Sequence, residues 1–193
     1  MNILTVIINE NKMLDEASLE IFSFIDDLEP SNKITTLVFG GEKSIISNLP
    51  SDEIFYVSID KSEELNPNSV LQTIDKFTNE KKFDLIIFQK DDISNYVAPS
   101  LSFRKDFSYL PDVKKFVSKS EREIKFVRPV HGESAEAIYS VETDSTIVIK
   151  IRKSSFEAKS LGDHSNSVNE IILEKSSDST FKITETKKNK PEG

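Results

Sequence analysis

ILTVII, residues 3–8, is a short continuous apolar run, and a strand shows such a run when both of its faces are covered, as in a parallel sheet. Read as the first and central strand, it sets what the neighbouring residues must do. Leu14, Ala17, Ile21, Phe24 or Ile25, and Leu28 follow at helical spacing with Asp and Glu between them, and Pro30 ends the pattern. That helix should cover the sheet. A second strand over 34–39 leads to Gly40-Gly41, a brief helix runs through Ile45, Ile46 and Leu49 to Pro50, and a third strand spans 54–59. Asn66-Pro67-Asn68-Ser69 offers helix-start chemistry before Val70, Leu71, Ile74 and Phe77, and LIIF at 85–88 is a fourth buried strand. Alternation of this kind predicts right-handed crossovers and a parallel sheet with helices on both faces.

Beyond the fourth strand, Ile93, Val97 and Leu101 lie four residues apart over 91–103, which predicts a helix that Pro99 kinks or begins. From residue 113 the texture changes. Strand runs at 113–117, 124–127, 135–141 and 146–151 follow one another with no helical pattern between them, and predict an antiparallel β extension. The remainder is rich in Ser, Lys, Asp and Glu; one late strand is expected at 168–173 and a flexible tail at 176–193.

Totals narrow the task. A chain of 193 residues, 37% of them hydrophobic, supports one core, so a single domain over 1–175 is expected. Its formal charge of -8, without a basic cluster, argues against nucleic acid as a partner. The absence of cysteine removes disulfides and thiolate metal sites. Met-Asn-Ile runs directly into an apolar strand, with no basic leader and no long apolar span, so membrane insertion is not expected and the cytoplasm is the default location.

Several strings carry a resemblance. Phe126-Val127-Arg128-Pro129-Val130, the strand at 135–141, and the run at 149–156 with Arg152 and Phe156 are similar to the strings "F-V-R-P-I" and "T-V-R-x-x-x-F" of electron transfer flavoprotein alpha subunits. Val97-Ala98-Pro99-Ser100-Leu101 resembles that family's "L-A-P-R-L" helix, and MNILTVIINENKMLDEASLE its opening strand, loop and helix. The resemblance covers the amino-terminal domain. It implies an α/β fold of three layers, α/β/α, with a mostly parallel sheet that is Rossmann-like and adenine nucleotide alpha hydrolase-like, plus the antiparallel extension. It also implies a non-catalytic component of an electron carrier, an electron transfer flavoprotein beta-type subunit as partner in a heterodimer, and FAD in the full assembly.

Departures from that family are equally specific. Where it usually has Gly-Arg before the "L-A-P-R-L" string, this chain has Ser94-Asn95; where it has Gly-Asn after "R-P-I-Y", this chain has Glu133-Ser134; its tyrosine is His131 here. The family's glycine-rich, FAD-holding second domain has no counterpart before Gly193, so no flavin is expected on this chain alone.

Candidate sites each have an ordinary account. Gly40-Gly41-Glu42-Lys43-Ser44 lacks the upstream glycine of a phosphate-binding loop and reads as a strand-to-helix turn. Asp91 and Asp92 could meet magnesium or ribose at the sheet's carboxyl edge, but also suit a helix cap. His131 and His164, the two histidines, sit in separate polar segments, which disfavours a zinc site or a Ser-His-Asp arrangement. Arg128 and Arg152 lie in strand sequence, where a guanidinium usually has a planar partner: either a structural salt bridge bracing the β extension, or a partner subunit or flavin. Together with His131 and Phe156 they are the candidate structural or partner-contact residues. No catalytic or metal residues are assigned. An AMP- or ATP-type nucleotide-binding module of the same fold is the alternative function.

Overall fold

A computed structural model describes residues 1–9, 14–28, 31–59 and 65–174; the 176–193 tail lies outside the described residues. Seven strands form one sheet in the order β10-β3-β2-β1-β4-β9-β5, with every neighbouring pair parallel. They are β1 (Asn2–Ile8), β2 (Lys33–Phe39), β3 (Glu53–Val57), β4 (Leu85–Phe88), β5 (Ser108–Val113), β9 (Ile147–Ile151) and β10 (Val168–Ile171). β1 is the middle strand, as its double-faced burial requires. A separate three-stranded antiparallel sheet contains β6 (Lys115–Lys119), β7 (Glu123–Val130) and β8 (Ala135–Glu142).

Helices cover both faces. α1 (Glu16–Asp26) starts where the Asp15 side chain accepts the Ser18 backbone N–H, and it packs Ile21, Phe22, Phe24 and Ile25 on Ile3, Ile7, Leu85 and Ile87. The short α2 (Lys43–Ile46) adds Ile46 to that face. On the other face α3 (Pro67–Glu80) and α4 (Asp92–Lys105) bury Val70, Leu71, Ile74, Val97, Ala98 and Leu101 against Leu4, Val6, Ile86, Phe88 and Val148. Asn66 caps α3 and Pro67 occupies its first turn, where a missing N–H costs nothing. The result is a three-layer α/β/α fold in which the small sheet lies beside α1.

Three expectations need correction. The run at 146–151 does not join the antiparallel extension: as β9 it enters the parallel sheet between β4 and β5, with all five residues buried. The run expected at 113–117 is divided, Val113 ending β5 of the parallel sheet and 115–119 forming β6 of the small one; β5 is an edge strand that tolerates Pro111 because its outer N–H groups need no ladder partner. Nor does Pro99 begin α4. Asp91 does, its carboxylate accepting the Ser94 N–H at 2.7 Å, and the helix continues past Pro99 because Val97, Ala98 and Leu101 are buried against the sheet.

One buried carboxylate ties the layers. Glu20, 4% exposed on α1, accepts the backbone N–H groups of Ser154, Ser155 and Phe156 at 3.0, 3.2 and 3.4 Å. The turn after β9 is thereby held on α1, and the Phe156 ring meets Phe24 edge-on at 5.3 Å. Phe24 also touches Phe126 of the small sheet, which in turn touches Phe116. Replacing Glu20 by Ala leaves three amides unpaired and should cost about 3 kcal/mol in denaturant unfolding, with Glu20→Gln recovering part of the loss. Wild-type stability in Glu20→Ala would refute this role.

Candidate functional site at the carboxyl edge of the sheet

In open α/β sheets, ligands approach the carboxyl ends of the strands where the strand order reverses, here between β1 and β4. Gln89, immediately after β4 and 1% exposed, spans that point. Its Nε2 donates to the Ile8 carbonyl at 2.8 Å, and its Oε1 accepts from the Ser18 hydroxyl of α1 at 2.6 Å. The crevice is thus bridged by the protein's own groups. Gly40 and Gly41 adopt positive φ beside it, and a Cβ on Gly40 would collide with the Asn9 carbonyl. Their freedom serves a tight strand-to-helix turn. Among the described residues, this crevice does not form a cradle for the pyrophosphate of FAD, and no step through flavin is assigned to it.

A charged cluster lies next to this crevice. Lys150 of β9 is only 7% exposed and donates to Asn95 Oδ1 in the first turn of α4. Lys90 lies 3.5 Å from Asp112, whose backbone is left-handed at φ 54. Burial pushes the Lys150 ammonium below its usual 10.5, while Asp112 acts in the opposite sense. The Asp91 carboxyl is pushed up by burial, against the hydrogen bonds it receives from Ser94. Lys150 thus places a cation at the α4 residue, Asn95, that stands where the similar family usually carries arginine. Sequence reading passed over it; the signal was a lysine inside an otherwise apolar run.

The four candidate contact residues do not converge. Arg152 directly follows β9, donates its backbone N–H to the Val113 carbonyl at 2.8 Å, and pairs through its guanidinium with Glu133. Glu133 belongs to the β7–β8 turn, where His131, Gly132 and Glu133 have φ of 51, 61 and 74 and the Ser134 hydroxyl donates to the His131 carbonyl. His131 is exposed. Arg128 lies over the Tyr139 ring, 5.0 Å from its centroid. Phe156 is in the core contact with Phe24. No group of three or more metal-ligating side chains occurs among the described residues. At the opposite edge, a cavity of about 900 Å³ separates the strand starts from the hairpin tip at 119–121. Its lining mixes Lys82 and Lys119 with Asp84 and Asp144, so it selects neither sign of charge.

A parallel three-layer domain with a bridged switch point and an added antiparallel sheet is the class these features define. The family model "Electron transfer flavoprotein domain" matches residues 3–176, and the chain belongs to that family of flavin-associated electron carriers. No curated protein matches this chain.

Two substitutions probe the edge. Between its depressed folded pKa and the unfolded 10.5, Lys150 is protonated more fully in the unfolded chain, so its contribution to stability rises with pH through that window. Lys150→Met keeps the apolar stem, should stabilise by about 1 kcal/mol at neutral pH, and should abolish the alkaline rise in a pH series of melting curves. Glu133→Gly removes a left-handed non-glycine residue worth about 1 kcal/mol, more than its exposed pair with Arg152 returns. Its Tm should increase; a decrease would show that the ion pair outweighs the backbone strain.

Proposed function

We propose that this chain serves as the alpha-type amino-terminal domain of an electron transfer flavoprotein, a scaffold that joins a beta-type subunit and carries no redox chemistry of its own. The observation that carries this reading is the bridged crevice. Gln89 satisfies the Ile8 carbonyl and the Ser18 hydroxyl at the place a nucleotide would have to enter, so nucleotide binding there would begin by breaking two buried hydrogen bonds. That disfavours the AMP- or ATP-binding alternative. FAD in this reading belongs to the assembled protein and to another domain, which tunes its chemistry.

Support for assembly comes from the small sheet. Its inner side places Phe126, Tyr139 and Val141 against the core, whereas its outer side carries Val127 paired with Ile138, the latter 64% exposed. Val117 on β6 is exposed as well, and Lys115 and Glu136 are charged neighbours on the paired strands. An apolar centre with a charged rim suits a protein interface. No helix among the described residues is long and apolar enough to cross a membrane, and the reading locates the assembly in the cytoplasm.

The test combines a spectrum and a titration. Purified chain should show no stoichiometric flavin absorbance, and should bind a purified beta-type subunit with an affinity that Ile138→Glu reduces by about tenfold or more without altering its own melting curve. Flavin bound to the chain alone, tight AMP binding, or no association with the beta-type subunit would each overturn the proposal.

A further inference from the structure

Each sheet has two edge strands, and three of these four carry a device that discourages a further strand. β10 is only four residues long. β5 contains Pro111 and shifts register between Leu110 and Val113, and β6 shifts between Phe116 and Ser118. β8 has none of these. Its eight residues, Ala135 to Glu142, pair with β7 one for one without a bulge, and include neither proline nor glycine. Among the described residues, no backbone–backbone hydrogen bond is made on its other side. A row of N–H and C=O groups is therefore open along a long, regular edge, the arrangement to which another strand adds.

The side chains of β8 select the strand. Tyr139 and Val141 pack on the core, so Glu136, Ile138, Ser140 and Glu142 alternate along the outer face. Antiparallel strands of one sheet set opposite residues on the same face, and a two-fold axis normal to that sheet places one residue of β8 against its own copy. Centred on Glu136, the axis opposes two glutamates; centred on Tyr139, it sets Glu136 against Glu142 of the copy. Centred on Ala137 or Ser140, it sets Ile138 against a glutamate. Centred on Ile138, which is 64% exposed, it opposes Ile138 to Ile138 and each Glu136 to a Ser140, with no like charges face to face. The Val127–Ile138 pairs of the two copies then form one apolar stripe across the joined sheets.

We propose that two copies of this chain join through β8 in an antiparallel, two-fold pair centred on Ile138, giving one continuous sheet in the order β6-β7-β8-β8-β7-β6. This association does not rest on the assembly reading above. It uses the same Ile138 side chain, so a second copy and a beta-type subunit compete for that face.

Sedimentation of the purified chain over a concentration series tests this, together with oxidation of single-cysteine variants, which is clean because the chain has no cysteine of its own. Wild type should pass from monomer to dimer as concentration rises. Ile138→Glu, which sets two carboxylates face to face at the axis, should weaken the dimer about tenfold or more. Ser140→Glu meets Glu136 twice and should weaken it about tenfold, yet keep the melting temperature of the isolated chain, because Lys125 lies opposite on β7. Ile138→Cys should oxidise to an interchain disulfide and Ser140→Cys should not, since only the residue at the axis meets its own copy. A monomer at every concentration, or a dimer that survives Ile138→Glu and leaves Ile138→Cys uncrosslinked, would overturn the proposal. β8 amides that resist hydrogen exchange only once beta-type subunit is added would give the edge to that subunit and rule out self-pairing.

Discussion

The Glu20 carboxylate is the interaction on which the arrangement of layers depends. A parallel sheet buries its faces by covering them, and on the α1 side the cover comes from two unlike pieces, a helix and a small antiparallel sheet. Glu20 fixes the turn at 154–156 to α1 through three backbone hydrogen bonds. Phe156, Phe24, Phe126 and Phe116 then extend one aromatic seam from that turn through the helix into the small sheet. A charged acceptor is suited to the task because amide bonds to an ionised oxygen are stronger than neutral ones. Its burial is tolerable because several donors converge on it.

This architecture divides the surface into edges with different chemistry. At the carboxyl edge the protein's own polar groups meet one another: Gln89 bridges β1 to α1, and Lys150 reaches Asn95. At the outer side of the small sheet, apolar Val127 and Ile138 face outward while their neighbours fill the core. Membership in the electron transfer flavoprotein family supplies the context for both. One edge is closed by internal hydrogen bonds, and the other side leaves an apolar face open.

Much of the fold was legible because burial leaves a periodic trace. β1 and β4 were continuous apolar runs, α1 and α3 had helical spacing, with Asn66-Pro67 to start α3, and each is present. β9 was misassigned because it follows strands instead of a crossover helix, and Thr146 and Lys150 gave it an alternating look although both faces are covered. β5 was hidden by Pro111 and Asp112, residues that an edge strand with a register shift accommodates. Site chemistry was less legible. Arg152 was visible as a strand arginine, but its partner Glu133 depends on a turn with three successive left-handed residues. Glu20 and the turn it holds are more than 130 residues apart, and no local pattern records such a contact.

The position of β9 also governs the order in which the chain can become complete during synthesis. β4 pairs with β9 on its outer side, and β5 pairs only with β9. About 60 residues separate the end of β4 from the start of β9. At about 5–20 residues per second, β4 emerges several seconds before the strand that covers its edge, and β5 waits with it. Throughout that interval Leu85, Ile86, Ile87 and Phe88 present an unpaired apolar edge, the kind of surface that invites aggregation. The small sheet, whose hairpins need only local contacts, can form in the meantime. The inserted β extension thus makes the nascent chain's most vulnerable period longer.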